Sequence, residues 1–63
     1  MITTFAAHAV QELEVQIDLI SKSLNKGSAK SYEEYRQMAG SIAGMRTAIH
    51  VITELADAAD RQD

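Results

Sequence analysis

Apolar side chains recur along this chain at alternating steps of four and three. They are Ala6, Val10, Leu13, Ile17, Ile20 and Leu24 in the first half. In the second they are Tyr35, Met38, Ile42, Met45, Ile49, Ile52, Ala56 and Ala59. A repeat of about 3.5 residues, sustained over several turns, marks helices packed nearly in line with knobs in holes. The pattern breaks only at Asn25-Lys26-Gly27-Ser28-Ala29-Lys30-Ser31. Gly27 suits the left-handed residue that closes a helix, with Lys22 and Lys26 facing the negative end of its dipole. Ser31-Tyr32-Glu33-Glu34 has the capping-box pattern, in which Ser31 accepts the Glu34 amide and the Glu34 carboxylate reaches back. The spacing therefore predicts one all-α domain over residues 1–63: a helix over about 4–25, a loop over 26–31 and a helix over about 32–60. A short connection makes the two helices an antiparallel hairpin. Closed tightly about the loop, it pairs Ile20 with Tyr35, Ile17 with Met38, Leu13 with Ile42, Val10 with Met45 and Ala6 with Ile49. Everything from Thr53 onward then runs past the start of the first helix, so order there requires another chain over Leu55.

A second surface lies off this seam. On the first helix it holds Val15 and Leu19; on the second it holds Gly40, Gly44, Val51, Leu55 and Ala58, broadened by Ala39, Ala43 and Ala48. Glycines at i and i+4 clear one contact line for close approach by another helix. Two helices touching along one seam bury little apolar surface against the entropy of ordering the chain. The hairpin is expected to be completed by oligomerisation or by docking on a larger assembly, with Gly40, Gly44, Val51 and Leu55 at the contact.

Composition narrows the classes. The chain has 63 residues, 46% of them hydrophobic, with no Trp, one Phe and no Cys, which excludes disulfides, thiolate metal sites and cysteine nucleophiles. No apolar run reaches the roughly 20 residues that span a bilayer, and Met1-Ile2-Thr3-Thr4 lacks the basic start of a secretory signal. No membrane partner is expected. The formal net charge is -3, against the basic character of proteins that coat nucleic acid.

Candidate chemistry is sparse. His8–Glu12 and His50–Glu54 are spaced i,i+4, so each pair shares a helix face, and the tight register sets His8 within about a turn of His50. Carboxylate-bridged metal bundles instead use Glu-x-x-His with further inward Glu residues. These pairs read as exposed His–Glu contacts, and neither a metal nor any other cofactor is expected. No Ser/His/Asp set, phosphate-cradling glycine loop or paired buried carboxylate is visible, so the chain reads as non-enzymatic. Asp57, Asp60 and Asp63 make an acidic end. Lys22, Lys26, Lys30 and Arg36 gather at the loop. Dipole matching accounts for the first two; Lys26, Lys30 and Arg36 together form a basic tip suited to an acidic surface or phosphate. Without aromatic residues beside it, that tip is a weak nucleic-acid site.

The stretch Lys26-Gly27-Ser28-Ala29-Lys30-Ser31-Tyr32-Glu33-Glu34-Tyr35-Arg36-Gln37-Met38-Ala39-Gly40, continuing through Ile42, Gly44, Met45 and Ala48, resembles a group of small helical proteins encoded among the virion structural genes of tailed bacteriophages. The resemblance covers roughly residues 24 to 55, and Ala43 stands where the pattern often has Arg. It implies a virion structural or assembly component, made in the host cytoplasm, whose partners are further copies or the portal, head–tail connector or capsid proteins. The alternative is a regulatory module like Rop, a helical hairpin that dimerises into a four-helix bundle and binds RNA. That resemblance is architectural, and Glu12, Glu14 and Asp18 put acid where a phosphate reader needs base.

Overall fold

The computed structural model describes residues 2–27 and 29–61, with side chains from Thr4 onward; Ser28 of the loop and Asp63 of the acidic end lie outside them. Two helices, α1 (Ile2–Asn25) and α2 (Tyr32–Arg61), pack against each other, and no strand occurs among the described residues. Local chemistry sets their inner ends. Gly27 takes a φ of 74° and donates its amide to the Leu24 carbonyl at 3.0 Å, the left-handed closure that a side chain disfavours. At the start of α2 the Glu34 amide donates to Ser31 Oγ at 3.1 Å. The Glu34 carboxylate reaches one residue further back than a capping box requires, accepting the Lys30 amide at 2.7 Å.

The seam is built from the stripes of both helices. Val10, Leu13, Ile17, Ile20 and Leu24 are half-buried on α1, as are Met38, Ile42, Met45, Ile49, Ile52 and Ala59 on α2. Ala6 and Ala56, 8% and 9% exposed, are its most buried members. Tyr35 departs from the expectation and stands exposed.

The axial register also departs from the tight closure. Ala6 and Val10 line one open groove with Thr53 and Ala56, and Ile17 lines a second with Ile49 and Arg46. Val10 therefore sits near Ala56 and not Met45, and Ile17 near Ile49 and not Met38. The slide is about ten residues, or about 15 Å at 1.5 Å per residue. At the same offset Leu13 falls level with Ile52, Ile20 with Met45 and Leu24 with Ile42, while Val10 and Ala6 fall level with the alanines Ala56 and Ala59. The tight register would have set Tyr35 on Ile20 and Ala6 on Ile49. The slide leaves the first turns of α2 overhanging the end of α1, and Ala29 of the loop is half-buried. The overhang thus lies at the loop end, and α1 covers the stretch of α2 that was expected to lack a partner. Helical order through Arg61 consequently follows from the hairpin itself.

Candidate functional site

With the register placed, the two broad sides of the hairpin can be told apart. On an α-helix, residues adjacent in sequence to a seam residue turn about 100° to either side of it. On both helices the non-seam residues that line the grooves are ones that follow a seam position: Ala7, Gln11, Glu14, Asp18 and Ser21 on α1, Arg46, Thr53 and Asp57 on α2. That side is polar. The residue preceding each seam position faces the other way. On α1 these are Phe5, Ala9, Glu12, Gln16, Leu19 and Ser23; on α2 they are Gln37, Ser41, Gly44, Ala48, Val51, Leu55 and Ala58.

This second side is where the apolar surface remains open. Phe5 is 76% exposed and Leu55 65%, with Leu19 and Val51 also exposed. Val15 stands at the outer edge of α1, and Gly40 toward the outer edge of α2, both exposed. A Cβ added at Gly40 or Gly44 would meet nothing within 4 Å, so no packing inside the hairpin calls for glycine at either position. Of the residues on this side, Phe5 escaped the sequence reading. Its signal was its place immediately before Ala6, the same one-residue offset that relates Leu55 to Ala56.

The tip at the loop end holds Lys26, Lys30 and Arg36, all exposed. It is not free of aromatic groups, as the linear reading had it. The Tyr32 and Tyr35 rings stack with centroids 6.5 Å apart, and the Arg36 guanidinium lies 5.9 Å from the centre of the Tyr32 ring. One turn of α2 brings them together, an i,i+3 and i,i+4 adjacency that was present in the sequence. Lys22, by contrast, pairs with Asp18 at 3.0 Å on an exposed face.

Every titratable side chain among the described residues is exposed. His50 Nε2 lies 2.7 Å from Glu54 Oε1 in open solvent. The slide of α2 carries His8 to the level of Asp57, about two turns from His50, so the two histidines are not neighbours. Among the described residues no three His, Asp or Glu side chains gather as a metal site. No described helix is long and apolar enough to cross a membrane. Comparison with protein-family models, with curated proteins and with solved structures gives no match.

Proposed function

We propose that this chain is a non-enzymatic structural or assembly component of a bacteriophage virion, a helical hairpin that works by packing its open side into the head, portal or head–tail connector. The observation that carries an assembly role is surface left uncovered. A folded monomer of this mass exposes about 4,000 Å², whereas this elongated chain exposes 5007 Å², and among the described residues no side chain is fully buried. Of the large apolar residues left exposed, Phe5, Leu19, Val51 and Leu55 stand on one side, opposite a polar side that suits water. The virion as the place of that assembly rests on the resemblance of residues 24 to 55. The basic tip of Lys26, Lys30 and Arg36 offers a second contact, to acidic protein surface. A Rop-like reader of RNA is the weaker reading, because Glu14, Asp18 and Asp57 line the polar grooves and repel phosphate. Mass spectrometry of purified virions tests the proposal: the chain should be recovered at a fixed ratio to the portal or capsid protein. Its absence from virions that assemble in cells making it would overturn the reading.

A further inference from the structure

Charge is sorted along the 50 Å length of the hairpin. The loop end presents Lys26, Lys30 and Arg36, all exposed, and none forms an ion pair among the described residues. Of the carboxylates nearby, Asp18 is taken by Lys22 and Glu34 turns back to the Lys30 amide, which leaves Glu33. The opposite end presents Asp57 and Asp60, also exposed and unpaired among the described residues. Beside them stand Glu54, held by His50, and Arg61.

Helix dipoles do not account for this sorting. A cation is disfavoured at the positive start of a helix and a carboxylate at its negative end. On α2, Glu33, Glu34 and Arg61 follow that rule. Lys30, just ahead of α2, and Asp60, one residue from its end, run against it. The positive start of α1 lies at the same end of the hairpin, but Asp60 is near the level of Ala6, a full turn inside α1. Charges set against the dipole cost the hairpin stability, and pairing them with each other would offset that cost. They cannot pair within one chain, because Arg36 and Asp57 are about 30 Å apart along α2. A second copy brings them together. We infer that hairpins associate end to end, the basic tip of one copy meeting Asp57 and Asp60 of the next.

The tip is arranged for such a contact. The Arg36 guanidinium lies 5.9 Å from the centre of the Tyr32 ring, which restricts it, so less freedom is lost when a carboxylate takes its fork. Asp57 and Asp60 are spaced i,i+3, so their carboxylates share one side of α2 and offer adjacent acceptors to Arg36 and Lys30. The contact joins two different patches, so it is heterologous and adds copies in a row without closing on itself. It is also weak, since an exposed ion pair strengthens association about fivefold or less. Copies already gathered on a larger body meet at millimolar effective concentration, where a weak contact suffices to order neighbours. The side holding Phe5, Leu19, Val51 and Leu55 stays free to pack elsewhere.

The inference rests on reading the tip as a contact for acidic protein surface, and it names that surface as the far end of the same chain. Sedimentation equilibrium of the full chain in low salt should give an average mass that climbs above 6.9 kDa as concentration approaches about 1 mM. The mass should return to 6.9 kDa in about 1 M salt, where the screening length falls to about 3 Å. Two variants separate the ends. Lys30→Gln with Arg36→Gln removes the tip, and Asp57→Asn with Asp60→Asn removes its acceptor. All four side chains are exposed, so helical circular dichroism should be retained in both. Each variant alone should stay at 6.9 kDa. Mixed in equal amounts they share one intact contact, so the mass should rise toward twice 6.9 kDa and stop there. A wild-type chain that stays at 6.9 kDa in low salt at about 1 mM overturns the inference. So does association that survives in either variant. Recovery from virions reads the functional proposal separately. A chain that does not self-associate, but is lost from virions on Lys30→Gln with Arg36→Gln, removes this inference and leaves another virion protein as the tip's acidic partner. End-to-end association by a chain absent from virions does the reverse.

Discussion

Gly27 and Gly40 are the same residue type under opposite constraints. Gly27 holds a φ of 74°, where an L side chain costs about 1–2 kcal/mol. Gly40 lies inside α2 with open space where its Cβ would be, and glycine there costs up to about 1 kcal/mol relative to alanine. Thermal melts followed by circular dichroism should therefore move apart. Gly27→Ala should lower the midpoint by about 4–8 °C or more, and Gly40→Ala should leave it unchanged or raise it. A fall at Gly40 comparable to that at Gly27 would contradict this assignment. Ser31 is the other residue with a defined local duty. Its hydroxyl satisfies the Glu34 amide, so Ser31→Ala should cost about 1 kcal/mol in the same melts. Exposed contacts such as His50–Glu54 and Lys22–Asp18 contribute little by comparison, because water screens both partners.

At the scale of the two helices, which residues enter the seam was legible and how far along they meet was not. A stripe that repeats about every 3.5 residues lands on itself after any slide of one or more turns. Periodicity therefore selects the faces of α1 and α2 without fixing their offset. What fixes it is size: alanine at Ala6 and Ala56 closes the terminal end tightly, and the branched residues fill the middle. Loop length fails as a guide because six residues are long enough to span the offset of about 15 Å. Tyr35 was misplaced for the same reason, since in the observed register the first turns of α2 have no α1 beside them. The offset is open to a direct check. Val10→Cys with Ala56→Cys should form an intramolecular disulfide on mild oxidation, seen as a loss of two hydrogens by mass spectrometry. Leu13→Cys with Ile42→Cys, a pair that the tight register would bring together, should not close. Closure of the second pair without the first would reinstate the tight register. The open side was legible in part. Gly40, Gly44, Val51 and Leu55 stood out by spacing, whereas Phe5 needed the sidedness that only a placed seam supplies.

Across the whole molecule the slide creates a gradient of stability. The termini end is where Ala6 and Ala56 are buried, and the loop end is where Tyr32, Tyr35 and Arg36 project beyond α1. The molecule is 50 Å long and 16 by 11 Å across, so the two ends are too far apart to support each other. Isolated helical turns are marginal in water, and tertiary packing supplies most of their stability. The amides of Arg36, Gln37, Met38 and Ala39 should exchange fastest among the hydrogen-bonded amides of α2, and those between Ile49 and Ala56 slowest. The tight register leads to the opposite order, because it would have left the residues after Thr53 uncovered. Faster exchange after Thr53 than at Arg36–Ala39 would return the overhang to the far end of α2.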